Sequence, residues 1–294
     1  MKLYVENGHP FKICQLTDIH LGNHPLEGDG GPLNGINERT LNRLKSVLEK
    51  NEFDLFMITG DLIWGKDNEE PRKDLKSLYN LLNEFDTPVA ITYGNHDTEG
   101  PFGRDYLRDF ENELTHLATK TNVFMSGEKE NYTLEVLDQA TNEVVNKLFV
   151  WDSGLYSRWS EVSQYAAIDL DQINWYVDVS KSYAAETFDI GFMHIPIPEY
   201  KMVDREKITG SFGEPVCSPD LNSGLFHEIL NQNNIKAMIS GHDHFNNFSG
   251  SYAGIQLNYG NVTGYNCKSD LIRGVTQYDL YSDGMQRKNL LFEA

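Results

Sequence analysis

Positive charge is scarce in this 294-residue sequence. Its 25 lysines and arginines stand against 44 aspartates and glutamates, a formal net charge of −19. A protein that grips nucleic acid through its surface needs the opposite balance, because it must replace the counterions of the phosphate backbone. An anionic membrane surface repels such a chain for the same reason. An acidic chain can still bind phosphate where bound cations dominate the local field. Cysteine is scarce too. Cys14, Cys217 and Cys267 are odd in number and scattered, which excludes a disulfide framework, and none forms the CxxC pair of a thiolate zinc site. There is no apolar run long enough to cross a bilayer. The stretch before residue 18 has no apolar core of a secretory signal, so a cytoplasmic protein is the simplest expectation. The Asn-x-Ser/Thr sequons at Asn131, Asn247 and Asn261 are then chance occurrences. Internal repeats, low-complexity tracts and Pro/Gly/Ser-rich linkers are also lacking. With 39% hydrophobic residues, the length suits one large domain with a sizeable core or two small ones, and a single domain over residues 1–294 is expected.

What is present is an alternation of short apolar strands with amphipathic helical segments. Residues 11–16, 55–59, 89–93, 190–193 and 235–239 read as buried strands. Further strands are expected at 132–137, 148–151, 249–253, 255–259 and 276–280. Helical spacing of apolar residues appears at 37–51, through Leu41, Leu44, Val47 and Leu48, and at 72–85, through Leu75, Leu78, Leu81 and Leu82. Helices are also expected at 106–118, 171–183 and 223–231.

Each of the five buried strands ends in a polar motif. In chain order these are Asp18-Ile19-His20, Gly60-Asp61, Gly94-Asn95-His96-Asp97, the single His194, and Gly241-His242-Asp243-His244. Ligands of α/β sheets bind beyond the carboxyl ends of the strands, and Gly60, Gly94 and Gly241, each just before a ligand, let the backbone turn sharply there. Asp18, Asp61, Asn95, His20, His194, His242 and His244 together offer two carboxylates, an amide oxygen and four imidazoles. That set can hold two divalent cations about 3.5–4 Å apart. Asp61 is the candidate bridge, since each carboxylate oxygen can take one metal. Mixed oxygen and nitrogen ligation suits manganese, iron or zinc better than calcium. Such a pair lowers the pKa of a bridging water and clamps phosphoryl oxygens, the two requirements of phosphate-ester hydrolysis. Asn95 also suits a left-handed turn. His9, His24, His116 and His227 read as structural or surface residues, the last two within predicted helices. His24 and the loop 22–35 are candidates for the pocket rim. Asp243 reads as a supporting or surface carboxylate, and Asn246 and Arg158 as weak candidates for substrate contact.

In this order the five blocks resemble the calcineurin-like metallophosphoesterases, whose pattern is DxH, GD, GNH[DE], a single H and GHxH. The resemblance implies a four-layer α/β/β/α sandwich with a dinuclear metal site at the strand C-terminal ends. It places one metal on Asp18, His20, Asp61 and His244 and the other on Asp61, Asn95, His194 and His242. A metal-bridging hydroxide would attack, with His96 as general acid and Asp97 beside it as an orienting carboxylate that raises the imidazole pKa. A narrower resemblance, carried by residues 192–200, 222–225, 241–246 and 259–265, is to a branch of purple-acid-phosphatase-like proteins often labelled inactive, and to fungal phosphatases of that branch. The purple enzymes use a tyrosinate three residues after the GD aspartate and lack the DxH histidine. Here Trp64 and His20 occupy those places, so no purple colour is expected, while the general-family ligands are all intact. A phosphodiesterase would use the same ligands and is the alternative. A nuclease is disfavoured by charge, and a non-catalytic scaffold would need none of these ligands.

Overall fold

The computed structural model describes residues 1–22, 35–66, 68–182 and 187–293. His24, the loop 22–35 apart from its two end glycines, and Tyr183 at the end of one expected helix lie outside the described residues. The elements run β1 (Leu3–Val5), β2 (Phe11–Leu16), α1 (Ile36–Lys50), β3 (Leu55–Thr59), α2 (Pro71–Leu82), β4 (Val89–Thr92) and α3 (Arg104–Phe110). There follow β5 (Thr121–Ser126), β6 (Lys129–Asp138), β7 (Val144–Val150), α4 (Leu170–Lys181), β8 (Asp189–Phe192) and α5 (Leu225–Gln232). The chain closes with β9 (Ile235–Ser240), β10 (Ser249–Tyr252), β11 (Ile255–Tyr259), β12 (Gly274–Leu280) and β13 (Met285–Leu291).

Two sheets form. One has the order β13-β12-β2-β3-β4; the other runs β1-β6-β7-β8-β9-β11-β10, with β5 on β6. The strands that carry the motifs are parallel, β2 with β3, β3 with β4, and β8 with β9, and all but the edge strand β4 lie inside their sheets. Such strands are covered on both faces, which is why they read as continuous apolar runs. Alternate residues sort the layers. Ile13, Leu55 and Met57 meet Leu148, Ile190, Phe192 and Ile239 between the sheets. The opposite face of the first sheet, with Leu16, Phe56 and Ile58, packs on Leu44, Leu48, Leu75 and Leu78 of α1 and α2. The outer face of the second sheet, with Phe149 and Met238, packs on Ile173, Tyr176 and Ile229 of α4 and α5. This is the expected α/β/β/α sandwich, and it delivers the ends of β2, β3, β4, β8 and β9 to one edge.

The local signals for the helices are visible. Pro71 opens α2, where a missing N–H costs nothing, and Gln172 reaches back to accept the Asp169 N–H at 2.9 Å before α4. One helix departs from expectation. α3 stops at Phe110, a single 3-10 turn follows over Glu111–Glu113, and the chain then extends. His116 O accepts the Val89 N–H at 2.7 Å and the Ala118 N–H reaches Val89 O at 2.9 Å. The edge strand β4 has backbone groups to satisfy, and this segment satisfies them; His116 therefore lies outside any helix, while His227 sits in α5 as expected. Among the described residues no helix is long and apolar enough to cross a membrane.

Candidate metal centre

Four of the predicted ligands adopt left-handed backbone: Asp18 (φ 52°), His20 (φ 48°), Asp61 (φ 53°) and His242 (φ 81°). Each such residue costs about 1–3 kcal/mol, and strain of this kind concentrates at functional sites. The strain is held by cross-links between loops. The Ile19 and His20 N–H groups both reach Asp61 O at 2.9 Å, and the His242 N–H reaches Asp18 Oδ2 at 3.0 Å. Gly60 turns with φ 89°, as expected. Gly94 is required for another reason: its backbone is not left-handed, but a Cβ there would stand 2.1 Å from Asp61 Oδ1. Asn95 is right-handed (φ −74°, ψ −30°) and not the left-handed turn residue considered above.

The candidate ligand atoms converge in two groups that share Asp61. Those of Asp18, His20, Asp61 and His244 lie within 4.8 Å of one another, and so do those of Asp61, His194 and His242. His20 Nε2 is 3.1 Å from His244 Nε2 and 3.5 Å from Asp61 Oδ2, and His194 Nε2 is 3.1 Å from Asp61 Oδ2. His194 is aimed by its other nitrogen, whose N–H donates to Thr59 O at 2.8 Å. Asp61 Oδ2, Asn95 Oδ1, His194 Nε2 and His242 Nε2 are all buried with no hydrogen-bond partner among the described residues. An unsatisfied buried polar atom costs about 1–3 kcal/mol. Several of them facing one another are explained by cations that they can coordinate, and their oxygen and nitrogen chemistry fits manganese, iron or zinc.

The site's electrostatics follow from burial and crowding. Burial opposes a charge on His194, but the Asp61 carboxylate outweighs it and raises that pKa to about 9. His242, buried and beside His194, is pushed down to about 3. Burial also opposes the charge on Asp18, yet the hydrogen bond and charge of the nearby histidines hold it down at about 2.

His96 is the remaining motif histidine. Its ring stacks on Trp64, with centroids 4.3 Å apart, and stands 5.2 Å from the His20 ring. Its backbone N–H donates to Asp61 Oδ1 at 2.9 Å. The expected Asp97 contact is not there. Asp97 points into the loop, where it accepts the N–H groups of Asp61 (3.0 Å), Leu62 (2.7 Å), Ile63 (3.1 Å) and Gly94 (2.7 Å). The carboxylate against the imidazole is Glu99, with Oε2 2.6 Å from His96 Nδ1. The reason is local: residues 96–98 form a 3-10 turn, in which positions i and i+3 eclipse and i+1 diverges. A glutamate three residues after the histidine was the available signal. Burial opposes the charge on His96, but Asp61 and Glu99 outweigh it and raise its pKa. Burial, aided by the Asp61 charge, raises Asp97 to about 6.

Asp97→Asn is expected to lower the unfolding free energy by about 1–3 kcal/mol, because one amide oxygen must serve four buried donors. Urea denaturation of chelator-treated protein reads this, and an unchanged midpoint would contradict the role.

Of the remaining residues, Asp243 is buried and takes the Tyr259 hydroxyl at 2.5 Å and Asn246 Nδ2 at 3.1 Å, so it supports its loop. Asn246 is itself fully buried and accepts the Gly213 N–H at 2.9 Å, which removes it from substrate contact. Arg158 lies over the exposed Trp159 ring, 4.0 Å from its centroid. Sequence reasoning overlooked Arg104, which is buried, pairs with Asp152 at 2.9 and 3.2 Å, and donates to Gly94 O at 2.9 Å, holding the loop that carries Asn95 and His96. It also overlooked Tyr165, whose ring stands edge-on to His242 at 4.5 Å.

Comparison with known proteins agrees with this geometry. A "Probable inactive purple acid phosphatase 28" of Arabidopsis thaliana is 27% identical over 282 residues, covering 87% of this chain and 70% of that protein. "Phosphatase DCR2" of Saccharomyces cerevisiae is 28% identical over 81% of this chain, which spans 44% of that longer protein. A dimetal phosphatase from Danio rerio, only 14% identical, shares the fold with a TM-score of 0.62 over 96% of each chain. The family model for calcineurin-like phosphoesterases matches residues 11–246, the span that carries all five motifs. The chain belongs to the calcineurin-like phosphoesterase family, whose members are dinuclear metal-dependent phosphoesterases.

Proposed function

We propose that this chain, as one domain, is a dimetal hydrolase of phosphate esters. Asp18, His20, Asp61 and His244 hold one cation; Asp61, Asn95, His194 and His242 hold the other, with manganese, iron or zinc in both places. The observation that carries this reading is the set of buried candidate ligand atoms, grouped around Asp61, that have no hydrogen-bond partner among the described residues. When bound, two such cations supply a water of lowered pKa and positive charge against the phosphoryl oxygens. The chain's own residues do the rest. Asp61 spans the two groups, and its Oδ1 fixes the His96 backbone. His96, placed at the edge of the site, donates a proton from Nε2 to the leaving oxygen. Asp97 acts through the loop that it ties together. A cytoplasmic setting belongs to the same proposal, supported by the burial of all three sequon asparagines, which leaves no room for a glycan.

A diesterase on the same ligands is the alternative, and the name of the Arabidopsis thaliana relative favours a non-catalytic scaffold as a third. Purified protein assayed with added Mn²⁺ on p-nitrophenyl phosphate and bis-p-nitrophenyl phosphate separates them. The expected result is turnover that a chelator abolishes and Mn²⁺ restores, with the monoester faster. A faster diester would favour the diesterase, and turnover of neither would leave the scaffold.

A further inference from the structure

His96 is not held by its motif neighbour but by a short relay that comes from elsewhere. Glu99 has both carboxylate oxygens engaged: Oε2 takes His96 Nδ1 at 2.6 Å, and Oε1 takes the Tyr156 hydroxyl at 2.5 Å. Tyr156 stacks on Tyr165, with centroids 5.9 Å apart, and Tyr165 in turn abuts His242. Glu99 is about five-sixths buried, with 16% of its side chain exposed, so its bond to the imidazole is partly shielded from water. The other face of the ring is closed by Trp64. Nδ1, the ring plane and the backbone N–H of His96 are thereby all fixed, while Nε2 has no hydrogen-bond partner among the described residues.

Building on the phosphoesterase reading, we infer that Glu99, braced by Tyr156, is the positioning residue that aims His96 at the leaving oxygen, and that the site is made for phosphate esters of aliphatic alcohols. As water oxygen bonds to phosphorus and the ester P–O bond breaks, the electron pair goes to the leaving oxygen. An alkoxide is too basic to depart without a proton, which passes from His96 Nε2 to that oxygen. The imidazole is left neutral with its Nδ1–H still on Glu99, and it recovers a proton from solvent water. A stable leaving group such as nitrophenolate gains little from this, so the benefit of a braced acid rises with the basicity of the leaving oxygen and is largest for the aliphatic class.

Three variants test the inference: Glu99→Gln, His96→Ala and the double variant. They are assayed with Mn²⁺ on glycerol 2-phosphate and p-nitrophenyl phosphate, or on the matching methyl diesters if diesters are the better substrates. Glu99→Gln is expected to lower kcat on the aliphatic ester about 10–100-fold, the usual effect of removing a group that orients a catalytic residue. The loss on the nitrophenyl ester should be clearly smaller. In the His96→Ala background the same change should cost nothing further, because Glu99 acts through that ring. Proton NMR of histidine-labelled protein adds a readout independent of turnover: a strongly downfield Nδ1–H signal of His96, lost in Glu99→Gln. Equal losses on both esters, or the same loss without His96, would overturn the positioning role and leave the phosphoesterase reading standing. No turnover of any ester by the parent chain would overturn both.

Discussion

Replacing Asp61 with asparagine leaves a folded chain that holds one metal ion or fewer and turns over about 10³-fold more slowly. Two features of the site carry this expectation. Asp61 is the one residue common to both groups of candidate ligands, so its loss affects both cations, whereas loss of His20 or His242 affects one. Its Oδ2 is also the carboxylate oxygen nearest the Nε2 atoms of both His20 and His194, and an asparagine would place either a neutral oxygen or an NH₂ donor there. The rate effect corresponds to the several kcal/mol of charge stabilisation that metal ions contribute to such reactions. Elemental analysis of the variant against the parent, alongside kcat, reads both halves. Full occupancy with normal turnover would remove Asp61 from the centre.

His96→Ala is expected to behave differently. It should keep both metals, because His96 contributes only its backbone N–H to Asp61 and that survives the substitution. Turnover of an ester with a poor leaving group should fall about 10²–10⁴-fold, the range for removal of a general acid, and the loss should shrink for p-nitrophenyl phosphate. Equal losses on the two substrates would count against proton donation. Loss of metal would instead mean that the ring helps to hold the centre, in spite of its Nδ1 being turned to Glu99.

Most of the architecture was legible because the site-bearing strands are buried on both faces. Residues 11–16, 55–59 and 255–259 carry apolar runs bounded by polar or glycine-containing segments, and the structure begins and ends those strands at the same residues. What escaped was whatever tertiary pairing decides. β1 is three residues long, and β5 and β13 are half-exposed edge strands whose residues alternate weakly; each exists because β6 or β12 offers it a ladder. The helix expected over 106–118 was cut short by the needs of β4. At the centre, the seven proposed ligands were named from their motifs, and the structure brings the side chains of six of them, all but Asn95, into the two groups. The carboxylate on His96 was misassigned. Adjacency in sequence suggested Asp97, while the eclipsing of i and i+3 in a 3-10 turn placed Glu99 there. Arg104 and Tyr165 lie in segments with no motif of their own, and only the folding of distant loops against them gives them a place at the site.

The most direct test of the central claim is anomalous scattering from crystals grown with Mn²⁺. Two peaks per chain are expected about 3.5–4 Å apart, one among Asp18, His20 and His244, the other among Asn95, His194 and His242, with Asp61 between them. A single peak, or none with Mn²⁺ in excess, would contradict it.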